Sequence, residues 1–132
     1  SCLVGSEMCI RDSDGTICHC PGNPKTSKDQ FGFRKAVPYP KRIDFMNSLH
    51  DEGHFLHYWT ARGCWDGEDY LQETREQLDS WGVKYNDVAV FKPLYDVWID
   101  DKAVSAWNDY EKDSDGNISD FESSIRKKIE VL

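Results

Sequence analysis

No stretch of this 132-residue chain is apolar for anything near the ~20 residues that a membrane-spanning helix needs. The first residues lack a basic segment followed by a long apolar one, the pattern of a secretory signal. Positive charge is scarce too. Sixteen Lys and Arg stand against 24 Asp and Glu, a net charge of −8, and no basic run extends beyond a few residues. Such a balance repels polyanions at long range, and no basic stretch interleaves with aromatics. No nucleic-acid partner and no membrane are therefore expected. A disulfide framework is also missing: Cys2, Cys9, Cys18, Cys20 and Cys64 are odd in number and irregular in spacing. They read as reduced thiols of a cytoplasmic protein. There is no internal repeat and no composition shift, so residues 1–132 read as one domain.

What the chain does have is aromatic residues, with five Trp, six Tyr and six Phe. That favours a packed core over disorder. Met8-Cys9-Ile10 is a short apolar run leading to Asp12, a first strand. Residues 18–40 hold four of the five prolines and no clear period, which predicts a loop or flap. Pro40 opens a helix striped by Ile43, Met46 and Leu49, and Gly53 is placed to end it. Phe55–Trp59 reads as a strand ending at Thr60, followed by a polar turn over 61–69. A second helix carries Leu71, Leu78 and Trp81, with Gly82 after it. Val88–Phe91 and Val97–Ile99 read as strands ending at Lys92 and Asp100. Helical stretches near 102–110 and 118–130 close the chain, 111–132 forming a C-terminal loop and helix. Strand and helix alternate, the pattern of an α/β fold with a parallel sheet. We expect a Rossmann-like, doubly wound sheet with helices on both faces. The connections 17–40 and 62–69 leave room only for a minimal cap. In such sheets ligands bind beyond the carboxyl ends of the strands.

Four patches fall at those ends or beside them: Asp12-Ser13-Asp14-Gly15-Thr16, Thr60, Lys92-Pro93 and Asp100-Asp101. Asp12 and Asp14 are two apart, so a strand presents both to one side. Two neighbouring carboxylates divide labour: one stays ionised and attacks, the other holds a proton for the leaving oxygen. Attack by Asp12 on phosphorus gives an aspartyl-phosphate. A phosphate dianion repels that nucleophile, and Mg²⁺ on oxygen ligands cancels the repulsion. Asp100 and Asp101 supply further carboxylates, Lys92 a fixed cation, and the Thr60 hydroxyl a donor to a phosphoryl oxygen. Charge cancellation and positioning are most of what phosphoryl transfer asks of a protein.

In that order the four patches resemble the four motifs of the haloacid-dehalogenase superfamily of phosphohydrolases. The resemblance implies Asp12 as nucleophile, Asp14 as general acid/base, and Thr60 and Lys92 as phosphate-binding groups. It also implies Mg²⁺ on the Asp12 side chain, the Asp14 carbonyl and Asp100, with Asp101 nearby. Over residues 12–105 the stretches Tyr58–Gly63, Gln77–Tyr85 and Lys92–Ala103 are similar to small, nearly capless members linked with capsular or surface-polysaccharide biosynthesis. The expected activity is a Mg²⁺-dependent phosphomonoesterase of a small phosphorylated metabolite, a sugar phosphate favoured. Arg62, His19 and Lys25 are candidate substrate selectors.

Some features depart from that pattern. Arg11 stands where the family has an apolar strand residue, and Cys2–Asp12 also resembles translated sequencing adapter. On that reading 1–11 is an artefactual start and Asp12 a chance restoration. Cys18-His19-Cys20 invites a zinc reading but has no second ligand cluster, so these residues read as flap lining. His50, His54 and His57 are spread over a helix and a strand and read as structural or exposed. Glu111–Glu122 resembles an EF-hand loop, with acids at positions one, three and five, Gly116 at six and Glu122 at twelve. The alternative function is therefore a catalytically impaired fold acting as a binding module, with a C-terminal calcium loop. A receiver-type phosphoacceptor domain uses similar groups in a different order, and the order here disfavours it.

Overall fold

The computed structural model describes residues 7–11, 15–20, 30–105 and 118–131. It is a mixed α/β structure. Strand β1 (Glu7–Arg11) lies parallel to β4 (Phe55–Trp59), and β4 lies parallel to β5 (Asp87–Ala89). The sheet order is β1-β4-β5. Arg11 is opposite Trp59, and Trp59 is opposite Ala89, so the three carboxyl ends are level. A separate antiparallel pair joins β2 (Cys18–His19) to β3 (Val37–Pro38). A short 3₁₀ helix, Gln30–Lys35, precedes β3. The region 18–40, expected to be a loop, thus contains three short elements. Each is too short for a periodicity to show.

Helix α1 (Pro40–Asp51) connects β1 with β4, and α2 (Leu71–Ser80) connects β4 with β5. Pro40 occupies the first turn of α1, where its missing N–H costs nothing. At the other end Gly53 takes φ +96°, and the His54 N–H reaches back to the Leu49 carbonyl. Both crossovers advance in the same direction across the sheet, so right-handed connections put α1 and α2 on one face. The core agrees. Ile43, Met46 and Leu49 of α1, Leu78 of α2, Leu56 and Tyr58 of β4 and Val88 of β5 are buried together. The other side of β4, with Phe55, His57 and Trp59, is exposed or half-buried. Helix α3 (Ile118–Glu130) packs on α1 through Phe121, whose ring meets Phe45 edge-on at 5.9 Å.

Three sequence expectations need correction. Val97–Ile99 is not a strand: it runs as irregular chain, with Val97 76% and Ile99 93% exposed. The Val97 and Ile99 side chains find no surface to cover, and no ladder partner lies beside the segment among the described residues. The strand expected at Val88–Phe91 ends at Ala89, because Phe91 adopts φ +60° and breaks the extended run. Residues 102–105 form a turn and irregular chain, not the start of a helix, and 106–110 lie outside the described residues. No helix among the described residues is long and apolar enough to cross a membrane.

Candidate functional site

Thr60 and Lys92 meet just beyond the level ends of β4 and β5. Thr60 N–H donates to the Ala89 carbonyl at 3.0 Å, and Lys92 N–H donates to the Thr60 carbonyl at 2.9 Å. Phe91 N–H donates to the Arg62 carbonyl at 3.2 Å. The β4–β5 pairing thus continues past the strands, through a chain bent at Phe91. Its left-handed φ is unusual for a bulky residue and is held by tertiary contacts. The bend presents the Phe91 ring towards Gly63. A Cβ built on Gly63 would stand 2.7 Å from Phe91 Cε1 and 2.4 Å from the Glu68 carbonyl oxygen. Gly63 also has φ +92°, so the position requires glycine for two reasons.

Both side chains are buried. The Thr60 hydroxyl oxygen accepts the Arg62 N–H at 3.3 Å, which fixes its orientation at the start of the 61–69 turn. The Lys92 carbonyl accepts the Cys64 thiol at 2.9 Å, and burial raises the Cys64 pKa. The Lys92 ammonium donates to the Tyr95 hydroxyl at 3.1 Å and sits 4.4 Å from that ring's centroid. The Trp98 ring is 5.6 Å away and meets Tyr95 edge-on at 5.1 Å.

Arg62 is buried as well. Its guanidinium lies 4.5 Å over the Phe33 ring and donates to the Thr74 hydroxyl at 3.2 Å. It therefore ties the turn after β4 to α2 and to the 3₁₀ helix. Phe33 also meets the Tyr70 ring at 5.1 Å, and Gln77 Nε2 donates to the Phe33 carbonyl at 2.7 Å. The segment 30–35 is docked on α2 beside the Thr60 end of the sheet.

Asp100 and Asp101 are exposed, and the Asp100 carboxylate accepts the Lys102 N–H at 2.8 Å, a local turn bond. Asp12 and Asp14 lie outside the described residues, as do Lys25 and the loop 111–117. β1 ends at Arg11, directly before Asp12 in the sequence. Among the described residues no three His, Cys, Asp or Glu side chains gather as a metal site. His19 is exposed at the end of β2, while Cys18 is buried. His57 Nδ1 lies 3.1 Å from the Asp87 carboxylate, bridging β4 and β5. The structure thus joins Thr60 with Lys92, and Asp100 and Asp101 lie on an exposed turn.

Three residues were not singled out from the sequence. Tyr95 and Trp98 surround the Lys92 ammonium. The available signal was two aromatics between Pro93 and Asp100, where a solvated loop has no need of them. Arg42 is fully buried in α1, 4.2 Å over the Phe121 ring, and donates to the Thr16 carbonyl at 3.3 Å. It anchors the turn after the Asp12–Asp14 motif to α1 and α3.

No family model matches the chain, and no curated protein does. A crystal structure of a structural-genomics target from Vibrio cholerae is similar, with a TM-score of 0.64 at 22% identity. The match covers 96% of this chain and 98% of that one. At that identity the likeness concerns the fold and not the chemistry.

Proposed function

We propose that the chain is a Mg²⁺-dependent phosphomonoesterase of small phosphorylated metabolites, sugar phosphates favoured. On this reading the parallel β1-β4-β5 unit is half of a doubly wound sheet of the haloacid-dehalogenase type. The observation that carries the proposal is the 2.9 Å bond that seats Lys92 against Thr60 at the carboxyl ends of parallel neighbours. A hydroxyl and an ammonium at such ends are a pair of donors for phosphoryl oxygens.

The residue roles follow from their chemistry. Asp12 attacks phosphorus and takes the phosphoryl group, and Asp14 gives a proton to the departing alcohol oxygen. Water then attacks the aspartyl-phosphate, with Asp14 taking back a proton. Thr60 and Lys92 hold the phosphoryl oxygens throughout. Asp12, the Asp14 carbonyl and Asp100, with Asp101, would make an all-oxygen donor set of the kind Mg²⁺ prefers. Bound there, the ion supplies charge cancellation between nucleophile and phosphate. The short connections around the site support a small substrate. Arg62, packed between Phe33 and Thr74, makes the floor beside Thr60 rigid.

Hydrolysis of p-nitrophenyl phosphate with Mg²⁺ tests the proposal. Asp12→Asn abolishes turnover, and activity surviving that change rules out the nucleophile. Asp14→Asn lowers kcat by about 10²–10⁴-fold, the range of general acid catalysis. Lys92→Ala raises KM. A panel of phosphorylated sugars and nucleotides then identifies the substrate class.

A further inference from the structure

We propose that Tyr95 is the positioning residue for the Lys92 ammonium; its relevance to phosphate rests on the reading given under Proposed function. Lysine carries a compact charge on four rotatable bonds, so a phosphate-binding lysine works only if something fixes its tip. The Lys92 backbone is held on both sides: its N–H by Thr60 and its carbonyl by the Cys64 thiol. Phe91, at φ +60°, and Pro93 restrict the chain before and after it. The remaining freedom lies in the side chain, which is 1% exposed.

A buried ammonium needs a partner. Tyr95 supplies one through its hydroxyl at 3.1 Å and its ring at 4.4 Å, while Trp98 buttresses Tyr95 edge-on at 5.1 Å. One acceptor on a tetrahedral ammonium also sets the directions of its other two N–H bonds. Tyr95 thereby chooses where Lys92 can donate. Tyr95 itself is 44% exposed, so it is not there to fill the core. Tyr95→Phe keeps the ring and removes only the hydroxyl, so packing and positioning can be separated.

The test uses Tyr95→Phe, Lys92→Met and the double variant, with inorganic phosphate and Mg²⁺ in a calorimeter. Loss of one hydrogen bond to a charged donor weakens phosphate binding about three- to tenfold in Tyr95→Phe. In the Lys92→Met background the same change does nothing further, because Tyr95 acts through Lys92. Equal losses in both backgrounds, or tighter phosphate binding in Tyr95→Phe, overturn the proposal. A second arm needs no phosphate. Acetic anhydride labelling, read by mass spectrometry, follows Lys92 against the exposed Lys84. Lys92 labels several-fold faster in Tyr95→Phe and faster still in Tyr95→Ala, and an unchanged rate in both overturns the proposal. Wild-type protein that binds no phosphate, yet shows this labelling response, sinks the phosphatase reading alone.

Discussion

Gly63→Ala is the substitution whose cost the structure sets most clearly. Gly63 has φ +92°, and its added methyl would lie 2.4 Å from the Glu68 carbonyl oxygen and 2.7 Å from the Phe91 ring. The left-handed backbone alone costs an alanine about 1–2 kcal/mol. Overpacking against a backbone oxygen and a ring adds about 1–3 kcal/mol, since the carbonyl cannot swing away as a flexible side chain would. The sum is about 2–5 kcal/mol. Two glycines act as internal controls. Gly67 at φ +75° and Gly82 at φ +71° have open space where a Cβ would go. Their alanine variants therefore lose only the backbone part, about 1–2 kcal/mol. Urea unfolding of the three variants, with a common m-value, isolates the clash as the difference. For a chain of this length each kcal/mol moves the Tm by roughly 3–5 °C. A Gly63→Ala variant no less stable than Gly82→Ala would refute the packing around Phe91. It would also remove the reason for the bend that turns Lys92 inward.

Three further outcomes follow. The buried Tyr58 hydroxyl has no hydrogen-bond partner among the described residues, and burial raises the Tyr58 pKa far above its ordinary value. Tyr58→Phe is therefore neutral or stabilising by up to about 1 kcal/mol in urea unfolding, and a clear loss would reveal a partner for that oxygen. Glu52 and Arg126 form a bidentate pair at 2.6 and 2.7 Å between the α1 end and α3, and hydrogen bonding to Arg126 holds Glu52 below its ordinary 4.5. A carboxylate lowered on folding contributes stability above its unfolded pKa and loses it as pH falls through the folded value, so Arg126→Gln flattens the fall of Tm from about pH 5 downward. Arg34 pairs with Glu73 at 2.8 Å on the surface, while Phe33 beside it is buried between Tyr70 and Arg62. Arg34→Ala changes stability by about 0.5 kcal/mol and Phe33→Ala by about 3 kcal/mol, and similar losses would contradict the docking of the 30–35 segment.

How much of this was legible depends on where each constraint sits. Helix α1 could be read because its signals are local and agree: Pro40 opens it, Ile43, Met46 and Leu49 stripe it, and Gly53 closes it. Strand β4 was equally plain, and the bounds read for the last helix, 118–130, are those of α3. The pairing of Thr60 with Lys92 could be anticipated too, since adjacent parallel strands bring their carboxyl ends together. Val97–Ile99 shows the opposite case. Its apolar run is a local fact, but a strand also needs a neighbour, and that depends on the rest of the sheet. Phe91 gives no local warning of a positive φ. The warning lies in Gly63, nearly thirty residues earlier, whose missing Cβ makes room for the ring. Arg62, beside Thr60 in sequence, invites a role in phosphate selection; its stack on Phe33 and its bond to Thr74 arise only once the flap has folded back. Tyr95 belongs with these. An aromatic three residues after a lysine is unremarkable in a sequence, and it acquires meaning only when the bend at Phe91 turns that lysine inward. The residue types that the proposed chemistry needs were visible one at a time. The backbone contacts that seat Lys92, from Thr60 and Cys64, join residues about thirty apart that no local pattern connects.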